Sequence, residues 1–152
     1  MTLAEALLER ANIKSKISEL RARIDDSILV QEDSAPAEDP LQLMPELDLA
    51  IEKLEKLVSA INRTNSETLI DGESITALIA RRDMLNLKYE SYEDFARTAR
   101  KMSNRARGTE IKIVSCVDYK KVQLELDKTA KALRELDVKL QKANWLTELK
   151  ED

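Results

Sequence analysis

The sequence has 152 residues, of which 43% are hydrophobic and 36% are charged, with only two Gly and three Pro. This composition excludes a turn-rich β protein and favours amphipathic helices. A formal net charge of −4 disfavours binding of the whole chain to polyanions such as nucleic acid or an acidic membrane surface. Any such binding would have to be local.

Three features of the sequence predict a cytoplasmic protein. The first residues lack the basic flank and apolar stretch of a signal peptide. No segment approaches the roughly 18 apolar residues that a membrane span needs. The lone Cys116 cannot form an internal disulfide.

Four helices are predicted from apolar residues spaced by three or four, over about residues 3–29, 40–63, 75–103 and 119–143. Thr2 and Glu5 match a capping box at the start of the first helix. Asp39-Pro40 predicts the start of the second, although Pro45 predicts either a kink or a later start near Pro45. Asp118 is the predicted cap of the fourth helix.

Two short β segments are predicted, near residues 68–71 and 110–117. Asp71-Gly72 is a strong turn signal after the first segment. The second segment is rich in β-branched residues, and Cys116 is interpreted there as a packed thiol. Whether these segments pair within one chain or between chains is left open.

The resulting prediction is a single, mainly α domain over residues 1–152. Its four helices would form an elongated antiparallel four-helix bundle or coiled-coil hairpins with a small β element. The apolar stripes on the first and fourth helices are as narrow as coiled-coil seams, which predicts a homo-oligomer.

Charge is concentrated in two blocks of opposite sign. Nine acidic residues and no Lys or Arg lie between Asp25 and Glu52, whereas residues 97–112 carry six basic residues and one acid. Each block covers a break between predicted helices. We expect the two blocks to guide folding or assembly by pairing with each other.

The chemistry available to the chain is limited because it contains no His. This excludes Ser-His and Cys-His nucleophiles and the His ligands of helical di-iron proteins. We predict no catalytic residue, cofactor or metal site, and therefore no enzyme. A carboxylate enzyme that uses a divalent metal is the more distant alternative, although no EF-hand spacing is present.

The candidate interaction residues are the basic cluster and the single Trp: Arg97, Arg100, Lys101, Arg105, Arg107 and Trp145. The basic cluster over residues 97–107 supports nucleic-acid binding as an alternative function. Phe95 and Tyr92 are predicted to be core residues and not a platform for base stacking. Trp145, placed just after the last helix, is expected to dock onto the domain or onto a neighbouring subunit.

Several of these segments also carry a family resemblance. Residues 3–11, 37–40, 61–65, 71–83, 110–115 and 144–145 together resemble an uncharacterised bacterial protein family whose members are sometimes labelled septicolysin. The resemblance spans nearly the whole chain. It implies a small, mainly helical bacterial protein of unknown activity, and it brings no functional residues with it.

The sequence as a whole predicts a non-enzymatic, self-associating helical protein that acts as an interaction or scaffold module. Its partner would be a second copy or another protein, with nucleic acid as the alternative and no membrane. The biochemical role is not predicted.

Overall fold

The computed structural model describes residues 1–101 and 111–151. Its elements in chain order are α1 (Leu3–Ile28), α2 (Pro40–Glu67), β1 (Leu69–Ile70), β2 (Glu73–Ser74), α3 (Ile75–Ala99) and α4 (Tyr119–Leu146). The predicted mainly α fold with a small β element is confirmed. The chain divides into two compact units: unit 1 is Met1–Ser74 with the residues from Ala143 onward, and unit 2 is Ile75–Lys142.

The predicted capping box at the start of α1 is confirmed. The Glu5 backbone N–H donates to the Thr2 hydroxyl at 3.2 Å, and the Thr2 N–H donates to the Glu5 carboxylate at 2.7 Å. These bonds satisfy two amides that the helix itself leaves without partners. The Thr2 backbone lowers the pKa of Glu5 by hydrogen bonding to its charged form.

Helix α2 begins at Pro40 and not near Pro45. The Asp39 carboxylate accepts the Leu41 N–H at 3.0 Å, and Pro40 occupies the first turn, where its missing amide costs little. The helix continues to Glu67, beyond the predicted end at residue 63. Because this polar stretch contains neither Gly nor Pro, nothing in it breaks the helix.

Helices α1 and α2 run antiparallel and are joined by a ladder of ion pairs. The pairs are Lys53 with Glu9 at 2.5 Å, Lys16 with Glu46 at 2.8 Å, and Arg23 with Glu38. Their members follow one another at intervals of seven along α1, and Glu46 and Lys53 are seven apart along α2, whereas Glu38 lies just before α2. This interval returns a helix to nearly the same face, so the charges border one continuous seam.

The seam itself is apolar. The buried side chains of the two helices include Leu3, Ala6, Ile13, Leu20, Ile24 and Ile61. Leu3, Leu20 and Ile61 are at most 1% exposed. Since each such side chain contributes roughly 1.5–3 kcal/mol when it is removed from water, this seam and not the surface ion pairs stabilises the helix pair.

A tight hairpin follows α2. Strands β1 and β2 pair antiparallel with Leu69 opposite Ser74 and Ile70 opposite Glu73. The connecting residues Asp71 and Gly72 have φ angles of 53° and 85°. Two successive positive φ angles are the geometry of a type I′ turn, which confirms the turn predicted from Asp71-Gly72. The pairing is therefore local and lies within one chain.

The second predicted β segment is wrong over its described residues, 111–117. These residues form no strand, with a single bridge residue at Lys112, and all seven are exposed. The β-branched composition suits a strand, but these side chains are exposed, so β propensity has little packing through which to act. Residue 110 lies outside the described part of the chain.

The two ends of unit 1 are held together by backbone hydrogen bonds. The Leu3 N–H donates to the Thr147 carbonyl and the Leu149 N–H donates to the Met1 carbonyl, both at 2.8 Å. Thr2 and Glu148 lie between these bonds as a single antiparallel bridge. This short contact ties the residues after α4 to the start of α1.

Unit 2 contains most of α3 and α4, which also run antiparallel. Lys88 lies 3.8 Å from Glu125, and farther along the pair the Arg100 guanidinium lies 5.0 Å from the centre of the Tyr119 ring. Helix α3 ends at Ala99, earlier than the predicted residue 103, and residues 102 and 103 lie outside the described ranges. The Asp118 carboxylate accepts the Lys120 N–H at 2.9 Å, which confirms the predicted cap of α4.

Helix α4 continues to Leu146, beyond the predicted end at residue 143. Trp145 therefore lies inside the helix and not after it. Among the described residues, no helix is long and apolar enough to cross a bilayer.

Candidate functional site

A groove at the junction between α3 and α4 is the candidate site. It has a volume of about 450 Å³ and lies within unit 2. Its lining residues come from the last turns of α3 and from the segment that leads into α4: Phe95, Thr98, Ala99, Lys101, Ile113, Val114, Ser115, Cys116 and Val117. We call this feature the end groove.

The walls of the end groove are apolar and open to solvent. Val114 is 69% exposed, Phe95 57%, Ile113 53% and Val117 51%. Large apolar side chains gathered at one place on a surface indicate a contact surface, whereas single exposed ones are ordinary.

The prediction that Phe95 belongs to the core is wrong. The buried face of α3 passes through Ala96, and the neighbouring position 95 is rotated about 100° around the helix, toward solvent. The Phe95 ring makes a tilted contact with Tyr92, which is only partly exposed, at a centroid distance of 5.8 Å. Tyr92 thus contacts the Phe95 ring that lines the end groove.

Local hydrogen bonds shape the other wall. The Ser115 hydroxyl donates to the Val117 carbonyl at 2.9 Å and accepts the Val117 N–H at 3.2 Å. These bonds turn the chain just before the Asp118 cap. Cys116 lies in this turn and is exposed, so the prediction of a packed thiol is wrong.

Lys101 lines the end groove, and further basic residues lie close to its lining residues in the sequence. Arg97 is paired with Asp94 at 2.9 Å, and Arg100 stacks on Tyr119. Lys101 and Lys112 make no ion pair with any residue in the described ranges. The remaining candidates of the predicted basic cluster, Arg105 and Arg107, lie outside those ranges.

The start of α4 adds to the positive charge at this place. Lys120 and Lys121 lie in its first turn, which contains no acidic residue. The amino end of a helix already carries a positive partial charge, and the single carboxylate of the Asp118 cap offsets this charge and the two lysines only in part. The end groove is therefore an apolar surface in a positive environment.

A segment of opposite character spans the last turn of α1 and the residues that follow it, in unit 1. We call residues 25–33 the acidic loop, because they contain Asp25, Asp26, Glu32 and Asp33 and no basic residue. None of these four acids forms an ion pair in the part of the chain that the structure describes. Three consecutive apolar residues lie between them: Ile28, Leu29 and Val30, which are 53%, 87% and 48% exposed.

Two acids of the acidic loop lie at the carboxyl end of α1, where negative charge destabilises the helix. Asp25 and Asp26 lie in its last turn, where the helix carries a negative partial charge and where no basic residue is present. Like charge at this end destabilises a helix unless a cation lies nearby. The acidic loop is thus a negatively charged, partly apolar segment of the surface that contains no basic residue.

Two further acids of the predicted acidic block, Glu38 and Glu46, have basic partners within unit 1. Arg23 lowers the pKa of Glu38 mainly through a hydrogen bond to its carboxylate, and Lys16 lowers the pKa of Glu46 in the same way. These two acids therefore serve the contact between α1 and α2. Pairing of the acidic block with the basic block stays a prediction.

Trp145 is 61% exposed. Its position inside α4 leaves much of the ring open to solvent, so the chain itself covers it only in part. Coverage by a neighbouring subunit stays a prediction.

No group of three or more potential metal-binding side chains occurs within residues 1–101 and 111–151. A second groove, of about 650 Å³, lies in unit 1 beside Glu9 and Lys53, which pair with each other. Its charges of both signs give it no preference for one class of ligand.

Residues 10–149 match the model of a family of unknown function (DUF6847). The chain belongs to this family. Among solved structures, this DUF6847 member is similar to a functionally unknown conserved protein from Corynebacterium diphtheriae, with 37% identity, a TM-score of 0.91 and 99% of each chain covered. A search of curated proteins found no match. The septicolysin resemblance stays a prediction, since neither finding carries that label.

Sequence reasoning identified the charges around the end groove but missed its apolar walls. The missed residues are Phe95, Ile113, Val114 and Val117, together with Ile28, Leu29 and Val30 of the acidic loop. A usable signal was present in the acidic loop, because three apolar residues flanked by acids continue past the end of the helical pattern.

Proposed function

We propose that this protein is a non-enzymatic helical interaction module that self-associates. The observation that carries the proposal is the end groove, whose apolar side chains Phe95, Ile113, Val114 and Val117 are each more than half exposed. Association removes such surface from water, which is the main favourable term in most protein contacts. The proposal does not involve catalysis, in keeping with a sequence that contains no His.

The ladder between α1 and α2 supports the scaffold part of the proposal. Ion pairs that recur at about seven residues beside an apolar seam are typical of coiled coils, which often present a second face to a partner. Leu49 and Ile51 of α2 are 65% and 46% exposed. A cytoplasmic setting fits the single exposed thiol of Cys116, which a reducing compartment keeps free.

The mass of the protein in solution tests the proposal. Light scattering and sedimentation over a wide range of concentrations should give a mass above the 17.3 kDa of one chain, rising with concentration. The same measurement at high salt determines how much charge contributes, because salt screens exposed charges. A mass of one chain at every concentration and at low salt would refute self-association.

A further inference from the structure

We infer that the acidic loop of one copy docks into the end groove of a second copy of this chain. This inference rests on the proposed function and specifies its interface. It pairs the apolar residues Ile28, Leu29 and Val30 with the apolar walls formed by Phe95, Ile113, Val114 and Val117. It also pairs the four acids of the loop with the basic surroundings of the groove.

The two surfaces match in polarity. The acidic loop presents an apolar centre between Asp25-Asp26 and Glu32-Asp33. The end groove presents an apolar centre with Lys101 on its lining and Lys112 beside it. An interface with an apolar core and a charged rim is the usual anatomy of specific protein contacts.

The two surfaces also carry excess charges of opposite sign. Asp25 and Asp26 add to the negative carboxyl end of α1, and Lys120 and Lys121 add to the positive amino end of α4. The last turn of α1 contains no basic residue, and at α4 the Asp118 cap offsets the two lysines only in part. When the two ends approach each other, the acids of α1 and the lysines of α4 gain partners of opposite charge.

Both surfaces are free in the folded chain. Leu29 at the tip of the loop is 87% exposed, and Val114 in the groove is 69% exposed. Each surface therefore has exposed apolar area that a second copy of the chain would cover. Every copy carries one loop and one groove, so every copy can both insert and receive.

Two substitutions separate the two halves of the contact. Leu29→Asp places a charge at the apolar tip of the loop, and Val114→Asp places a charge on the groove wall. Both side chains are largely exposed, so the fold does not depend on them. Matched controls are Leu69→Asp on β1, where Leu69 is 65% exposed, and Val138→Asp on α4, where Val138 is 67% exposed.

We expect L29D and V114D each to raise the dissociation constant of self-association by about tenfold or more, as measured by sedimentation. The controls L69D and V138D should leave it within about twofold. An equimolar mixture of L29D and V114D should regain association, because the intact loop of V114D fits the intact groove of L29D. That recovery would also show that both variants are folded.

The outcomes distinguish this inference from the proposed function. If the wild-type chain associates while neither L29D nor V114D weakens it more than its control, the interface lies elsewhere and only the inference is wrong. If both variants are weakened but their mixture does not recover, the loop does not enter the groove. If the wild-type chain does not associate at all, the proposed function is wrong and the inference with it.

Discussion

The backbone N–H of Lys150 donates to the hydroxyl of Thr64 at 2.9 Å, across 86 residues of sequence. Thr64 is completely buried, and its hydroxyl also donates to the Ala60 carbonyl one turn earlier in α2, at 2.8 Å. The Thr64 hydroxyl thus forms one hydrogen bond within α2 and a second with the segment that follows α4. This contact joins α2 to the segment that follows α4 within unit 1.

We expect Thr64→Val to lower the free energy of unfolding by about 1–3 kcal/mol. The substitution keeps the shape of the side chain but leaves the Lys150 N–H without its partner in a partly buried place. Thr129→Val is the matched control, since Thr129 is also buried but its hydroxyl bonds only to the Glu125 carbonyl of its own helix. Urea unfolding measures both. Equal losses in the two variants would show that the long-range bond contributes nothing.

The apolar seam of unit 1 should dominate its stability. Leu20 is 1% exposed, so Leu20→Ala should lower the free energy of unfolding by about 2–5 kcal/mol, through lost burial and the cavity that remains. Leu8→Ala removes the same atoms from the same helix at a position that is 60% exposed, and we expect a change below about 0.5 kcal/mol. Denaturant midpoints of the two variants provide the comparison. Similar shifts would place Leu20 outside the core.

The ion pairs between α1 and α2 should make stability depend on pH in the acidic range. Lys16 lowers the pKa of Glu46 below the ordinary 4.5, so near that pH the unfolded chain binds more protons than the folded chain. The contribution of this pair is thus present above pH 4.5 and is lost as the pH falls through the folded pKa. Glu46→Gln should reduce the loss of stability between about pH 7 and about pH 3.

Glu52→Gln is the control for this pH dependence. Glu52 lies on the same helix but forms no ion pair within the described residues. Its substitution removes a carboxylate from the same helix without removing an ion pair. If Glu46→Gln and Glu52→Gln gave the same profile, the pairing with Lys16 would have no energetic effect.

Features set by neighbouring residues were predictable from the sequence. The Thr2 and Glu5 capping box and the Asp39-Pro40 start depend on residues at most three apart, and both are present as predicted. The Asp71-Gly72 turn was predictable for the same reason, because only a few residue types accept positive φ. Each of these features is produced by residues that are close together in the sequence, so no knowledge of the rest of the fold is needed to predict it.

Features that depend on distant parts of the chain were not predictable. Residues 111–117 have strand composition but form no strand and are exposed, and the sequence alone does not reveal that they lack a packed face. Phe95 and Ala96 are adjacent, yet one faces solvent and the other is buried, because burial depends on where a helix is contacted. The end groove combines these two errors, which is why its charges were predicted and its walls were not.

The hairpin provides a test that depends on backbone conformation alone. Gly72 has a φ of 85°, and a Cβ added there would meet no atom within 4 Å. Gly72→Ala should therefore destabilise unit 1 by about 1–2 kcal/mol through backbone strain and not through a clash. Gly72→Asn should cost clearly less, because Asn adopts the left-handed region far more readily than Ala while adding more atoms. Thermal unfolding ranks the variants. A larger loss for Asn than for Ala would show that space around the turn matters, and would contradict the strain argument.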